Sequence, residues 1–334
     1  MFDGKTVLIT GGTGSLGRAL TKKLLNSNVD TIRIFSRNES KQIEMEEDFD
    51  NPKLRFFMGD VRDSERLFYA LEDVDIVFHA AALKHVPKIE YNPFESIKTN
   101  VIGSQNVIDN SLRQNVEKVI CVGTDKAVSP LNTYGATKLL MEKLFVSANN
   151  YVNSEKHRTK FVAVRYGNVL GSSGSVIPKF IDLIKKGKSI TITDSKMTRF
   201  TITMDDALEF ILNATNTGKG SEIFIPKLTS YEMPTLIEAL GELCGEIKQE
   251  IVGIRPGEKL HETLINNDEM RYSWEINGMY MLANPHYKLF NDKEILENYD
   301  GIKKVEHIQS YSSDVSEKIS KNELKQKIQS SNLL

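Results

Sequence analysis

Six short apolar runs, each separated from the next by a longer amphipathic or polar stretch, constrain the fold of this chain more than any other feature. They are Thr6–Ile9, Thr31–Phe35, Leu54–Gly59, Ile76–Ala80, Lys118–Val122 and Phe161–Tyr166. Such alternation is the pattern of βαβ units, and strands this apolar are covered on both faces. The expected class is α/β, with a doubly wound parallel sheet of the Rossmann type. The 334 residues suffice for one large or two ordinary domains.

Composition narrows the function classes. Hydrophobic residues make up 40% and charged residues 26%, as in a globular protein in water. A net charge of -2 lacks the basic excess of a nucleic-acid binder. Cys121 and Cys244 form neither a metal-ligand spacing nor a disulfide framework, so no metal is expected. The first apolar run starts at Thr6, which leaves no room for a signal peptide, and no run approaches the roughly 18 residues of a membrane span. The expectation is a soluble cytoplasmic protein without a membrane or nucleic-acid partner.

Behind the first run comes Thr10-Gly11-Gly12-Thr13-Gly14-Ser15-Leu16-Gly17, with Gly11, Gly14 and Gly17 in a GxxGxxG spacing. Small residues between a strand and a helix let the backbone approach a pyrophosphate, and the helix presents free N–H groups and its positive end. Dinucleotide binding is the expectation; the plain alternative is a strand-to-helix turn needing glycine for geometry.

The second run ends in Ser36-Arg37, with Lys41 a turn later, where an NAD-selective site places an acidic residue. A guanidinium pairs bidentately with phosphate, so NADP is expected, the alternative being a solvated basic turn. Asp60 and Val61, at the end of the third run, are placed at the adenine. Ala80, Ala81 and Ala82, after the fourth, let a cofactor lie against the backbone. Lys84 and His85 follow in a loop over the presumed site, and Asn100 falls in a helical stretch within reach of a strand end.

After Val119-Ile120-Cys121-Val122 come Thr124, Asp125 and Lys126, where a strand should end and where open α/β sheets bind ligands. Beyond Pro130 and Asn132, Tyr134 and Lys138 are spaced one helical turn apart. A tyrosine near pKa 10 is a poor base at neutral pH, and a lysine one turn away stabilises the phenolate.

With these motifs in order, the chain resembles the extended short-chain dehydrogenase/reductases over nearly its whole length. Within them it is most similar to the UDP-N-acetylglucosamine 4,6-dehydratases that invert carbon 5, of the pseudaminic acid pathway type. The marks are Ser36-Arg37 with Lys41-Gln42, Ala82-Leu83-Lys84-His85-Val86-Pro87, Thr124-Asp125-Lys126 and Arg165-Tyr166-Gly167-Asn168-Val169. Asp194-x-x-Met197-Thr198-Arg199 and Arg255-x-Gly257-Glu258-Lys259 complete them. Ser173 departs from the arginine many relatives carry.

The resemblance implies a smaller, discontinuous C-terminal domain. Residues 1–167 with about 200–216 would bind NADP; 168–199 and 217–334 would bind the nucleotide sugar. It implies oxidation at carbon 4 with Tyr134 as base, elimination of water across carbons 5 and 6, and return of hydride to carbon 6. Inversion of carbon 5 then gives UDP-2-acetamido-2,6-dideoxy-beta-L-arabino-hex-4-ulose. Asp125 would be the acid, Lys126 the base if its pKa is depressed, Thr124 a partner of the 4-hydroxyl, and Lys138 a holder of the nicotinamide ribose. Asn168, Val169, Val176 and Pro178 would face the sugar and uracil, Arg199 and Arg255 the diphosphate, and Glu258 the ribose. His261 and Glu262 are placed on a following helix, with a structural role.

Helices after Asn100 and Tyr134 pair between subunits in that superfamily, so a homo-oligomer is implied. Ser320-x-x-Glu323 reads as a capping box opening a last helix. The competing readings are a UDP-sugar 4-epimerase, a carbon-5-retaining dehydratase, or a non-catalytic NADP-sensing regulator. The Asp125–Lys126 pair discriminates against epimerases, and retention of Tyr134 and Lys138 against the regulator.

Overall fold

The computed structural model of the chain describes residues 1–153, 156–172, 174–284, 292–306, 309–331 and 333–334. Ser173 lies outside them. Six parallel strands form the nucleotide-binding half: β1 (Thr6–Thr10), β2 (Thr31–Ser36), β3 (Leu54–Met58), β4 (Ile76–His79), β5 (Lys118–Val122) and β6 (Lys160–Val164). Their spatial order is β3-β2-β1-β4-β5-β6, with Val7 in register with Ile32 on one side and Ile76 on the other. Chain order reverses between β1 and β4, which opens a crevice beyond their carboxyl ends.

Alternation along the strands explains why successive central positions are mostly apolar. Val7, Ile9, Ile34, Phe78 and Ile120 pack into one core, beneath the helices Ser15–Leu25 and Met204–Thr217. Leu8, Phe35, Val77, Val119 and Cys121 pack into the other, beneath Ser64–Ala70, Gly103–Arg113 and Thr133–Ala148. Successive side chains point to opposite faces, and both faces are covered.

The sheet continues past β6. Ile223–Pro226 pairs with β6 in parallel, and Met279–Leu282, Ser273–Ile276 and Lys303–Lys304 follow antiparallel, giving ten strands in one sheet. Segments of the 217–334 stretch therefore belong to the central sheet, because the open β6 edge needs a partner for its backbone groups. The smaller lobe is built around Ile177, Phe180, Leu236, Leu240, Leu324 and Ile328. These come from the helices Val176–Lys185, Met233–Cys244 and Lys321–Ser330. The last of these opens on the expected box, with Ser320 Oγ accepting from the Glu323 backbone and Glu323 accepting from Ser320 N–H. Among the described residues no helix is long and apolar enough to cross a membrane.

A buried guanidinium ties the layers together. Arg165, one residue past β6, is fully buried between Glu142 of the Thr133–Ala148 helix and Glu269. It also donates to Leu264 O at 2.8 Å. The bidentate geometry answers the guanidinium's donors and orients the Tyr134 helix against the sheet.

Candidate active site

The glycine-rich turn carries the first half of the site. Gly11 has φ +68, and a Cβ there would stand 2.9 Å from the Ala81 backbone. The turn after β1 thus lies flush against the Ala80–Ala81 backbone after β4, so Gly11 has no room for a side chain. Gly14 caps the Ser15–Leu25 helix without a side-chain hydrogen bond, and no acidic residue stands in its first turn. The helix start and its positive end are open to an anion beside Thr13, Gly14 and Ser15, while Leu16 packs against the core.

Beyond β3, Asp60 Oδ2 accepts from Arg62 Nη2 at 2.7 Å and lies 3.5 Å from Arg37 Nη1. Burial works against its charge, but Arg62 and Arg37 hold its carboxyl below the usual range. Val61 is buried against the helix that begins at Gly103. Ser36 is held by the Gln42 amide at 3.0 Å, leaving Arg37 and Lys41 exposed at the rim. The turn, the open helix start and the Asp60–Arg37 rim fit a nicotinamide dinucleotide.

Asn100 sits in a π-helical turn, Ile97–Ile102, of the kind often found at functional sites. Its Oδ1 accepts from Leu83 N–H at 2.8 Å and its Nδ2 donates to Leu83 O at 3.0 Å and Thr137 Oγ1 at 3.1 Å. It therefore joins the loop after β4 to the Tyr134 helix. His79, at the end of β4, lies between Thr10 and Ser104, and burial pushes it down to about 3, so it is neutral at pH 7. Lys84 and His85 lie exposed on the loop beyond Ala82, with desolvation lowering the Lys84 pKa.

The catalytic candidates converge after β5. Asp125–Ala127 form one turn of 3-10 helix, with Thr124 as its cap. The Thr133–Ala148 helix presses onto this turn, since a Cβ on Gly135 would stand 2.3 Å from Lys126 O. Thr124 Oγ1 donates to Asp125 Oδ1 at 2.9 Å, and Lys126 Nζ donates to the same oxygen at 3.0 Å and to Asn168 Oδ1 at 3.0 Å. Asp125 is 1% exposed, and its Oδ2 is buried without a hydrogen-bond partner.

Two expectations about these side chains are corrected. Lys126 is not depressed: burial opposes its charge, but the Asp125 and Glu262 carboxylates outweigh that and hold it above the ordinary lysine value. The cation that favours the Tyr134 phenolate is Lys126, not Lys138; burial still leaves the Tyr134 pKa raised. Lys138 Nζ donates to Val122 O at 2.7 Å and meets Met141 Sδ at 3.4 Å, and burial lowers its amine to about 8. One helical turn places the two residues on one face but leaves the direction of a long amine to the nearest buried carbonyl.

The second lobe closes over this cluster. Asn168–Val169 form a short strand beside Thr201–Ile202, and Val176 and Pro178 stand half-buried in the first turn of their helix. Arg199, expected at the diphosphate, is 7% exposed and donates to Thr198 O, Leu260 O and Lys259 O. It thereby holds the 258–262 segment, with Glu258 at 3.7 Å and Glu262 at 3.8 Å. Arg255 is exposed, and Glu258 Oε2 is buried without a partner. Asn132, the cap of the Tyr134 helix, donates to Gly257 O at 2.9 Å, so this loop is latched to the catalytic helix.

A profile of the polysaccharide biosynthesis protein family matches residues 7–284. The chain belongs to this family. Among its relatives, the Campylobacter jejuni UDP-N-acetylglucosamine 4,6-dehydratase (inverting) is 49% identical over 94% of each chain. A Rickettsia akari UDP-glucose 4-epimerase is 41% identical over 97% of this chain and 95% of its own. The X-ray structure of Pen from Bacillus thuringiensis, 39% identical, superposes with a TM-score of 0.89 over 100% of this chain and 99% of that one.

One acidic residue expected to be structural enters the site. Glu262 does not lie on a helix: it precedes the strand Thr263–Ile265, is 4% exposed, and stands 3.6 Å from Lys126 Nζ. Lys259 also reaches the cluster, donating to Val128 O. The only signal for either was the Arg255–Glu262 stretch itself, whose apolar residues have no period that would show which side chains turn inward.

Proposed function

We propose that this family member is an NADP-dependent UDP-N-acetylglucosamine 4,6-dehydratase that inverts carbon 5, of the pseudaminic acid pathway type, working as a homo-oligomer. The observation that carries the reading is the contact of Lys126 Nζ with Asp125 Oδ1 beside Tyr134, with Asp125 Oδ2 left unpartnered. A 4-epimerase needs no such acid/base pair.

A bound nicotinamide dinucleotide supplies a hydride acceptor and, later, a hydride donor. Gly11, Thr13, Gly14 and Ser15 take its pyrophosphate, and Asp60 and Val61 its adenine. Arg37 and Lys41, exposed at the rim, suit a 2′-phosphate and favour NADP. Lys138, whose amine donates to Val122 O, is assigned to the nicotinamide ribose.

Tyr134 takes the proton of the sugar 4-hydroxyl, with Thr124 orienting that hydroxyl and the Lys126 charge favouring the phenolate. The resulting 4-keto group acidifies the carbon-5 proton. Across the 3.0 Å contact, one proton passing from Lys126 Nζ to Asp125 Oδ1 makes an amine and a carboxylic acid. Lys126 then accepts the carbon-5 proton, and Asp125 donates to the departing 6-hydroxyl, which leaves as water. The ion pair is thereby restored. With the hydride returned to carbon 6, the enone becomes an enolate, and a solvent-derived proton delivered to carbon 5 from the opposite face inverts that centre. Arg255, exposed on its loop, suits the diphosphate, and the unpartnered Glu258 Oε2 suits a ribose hydroxyl.

Incubation with UDP-N-acetylglucosamine in deuterated water, followed by NMR, tests the reading. The expected product is a 6-deoxy-4-ketosugar with inverted, deuterated carbon 5. A 4-epimer as product would overturn it.

A further inference from the structure

We propose that Glu262 is the positioning residue of Lys126: its carboxylate, shared between Lys126 and Arg199, holds that amine at Asp125 and Asn168. The proposal rests on the acid/base reading of Lys126 given above and extends it to a residue from the far end of the chain.

The geometry is that of a built contact. Glu262 is 4% exposed, with Oε1 3.6 Å from Lys126 Nζ and 3.8 Å from Arg199 Nε. Its backbone is pinned on both sides by Ser313, whose Oγ accepts from Glu262 N–H at 2.9 Å and whose N–H donates to Glu262 O at 2.7 Å. Ser313 in turn bonds Thr198, next to Arg199, at 2.7 Å. The carboxylate is therefore delivered by a fixed backbone. Its Oε2 is buried without a hydrogen-bond partner, and the carboxylate faces Lys126 and Arg199, with Lys259 also within its field.

The groups facing Lys126 come from four parts of the chain. Asp125 and Tyr134 lie on the catalytic turn and helix, Asn168 on the short strand, and Glu262 and Lys259 on the latched segment. Tyr231 feels the same ammonium from the strand beside Arg199. Of the carboxylates, Asp125 exchanges a proton with Lys126 in the proposed reaction, whereas Glu262 also faces Arg199 and takes no part in that exchange. Glu262 thus keeps the Lys126 amine at Asp125 and Asn168 from one turnover to the next. Without it, the amine would be held by Asp125 and Asn168 alone.

Competitive labelling of lysines with trace acetic anhydride, read by mass spectrometry across pH, follows the Lys126 amine without any turnover. In Glu262→Gln, which keeps the shape and removes the charge, the Lys126 labelling midpoint should fall by about one pH unit or more, the scale of losing one close opposite charge. The alkaline limb of kcat/KM for UDP-N-acetylglucosamine, where the pair loses its one proton, should move down with it. Glu262→Asp, with the charge retracted by one methylene, should give a smaller downward shift, and serves if the first variant does not fold. A folded variant with the Lys126 midpoint unchanged would overturn the proposal. Absence of wild-type turnover would overturn the reading of the reaction, while the labelling would still decide the role of Glu262.

Discussion

The Lys126 ammonium lies 3.0 Å from Asp125 Oδ1, and this contact joins the two residues proposed as base and acid just beyond the end of β5. Asp125→Asn and Lys126→Met should each reduce formation of the 4-ketosugar by about 10²–10⁴-fold, the usual range for removing a general acid or base. NADP binding, measured by titration, should be retained. A variant with near wild-type turnover would remove the pair from the mechanism.

Arg37 offers a test of cofactor choice. Arg37→Ala should weaken NADP binding about tenfold or more, as loss of a charge-assisted contact to phosphate does, and leave NAD binding nearly unchanged. Isothermal titration of both dinucleotides against both proteins decides it. Equal wild-type affinity for NAD and NADP would sink the assignment.

Arg165 supports the site from beneath. Arg165→Met would take from the buried Glu142 and Glu269 carboxylates the guanidinium both pair with. A broken buried ion pair costs about 3–5 kcal/mol. Urea unfolding should read a loss of that size, and a change below about 1 kcal/mol would mean that the interior relaxes around the two acids.

Lys138 gives a pH signature in the cofactor-free protein. Burial lowers its amine to about 8, against 10.5 when exposed. Between these values the unfolded chain holds the extra proton, so stability rises with pH and the cost of burying the ammonium is relieved. The full effect is about 3 kcal/mol on the scale of 1.36 kcal/mol per unit. Urea unfolding near the two ends of that window should show wild type gaining relative to Lys138→Met. A constant difference between the two would mean that Lys138 does not titrate there.

Much of the scaffold was legible because its residues are dictated by local rules. Strands buried on both faces must be apolar throughout, the turn after β1 must be small where it meets Ala81, and Ser320 with Glu323 satisfies a helix start within four residues. The clustering of Thr124, Asp125 and Lys126 followed from the end of a strand, and Tyr134 and Lys138 from one helical turn. The extent of the sheet was less legible: Ile223–Pro226 joins it because β6 has an edge to cover, a requirement set far from those residues in the chain.

What the sequence determined by itself is the doubly wound frame and the identity of the groups at the end of β5, since both arise from short-range periodicity and from where strands stop. Only the tertiary structure decided their charges and directions. Glu262 comes back from the second lobe to hold Lys126 protonated, Lys126 replaces Lys138 as the cation near Tyr134, and Arg199 turns onto the carbonyls of Thr198, Lys259 and Leu260. The physical reason is that a buried charge takes its state from the opposite charges and carbonyls within a few ångströms, and folding chooses those neighbours without regard to distance along the chain.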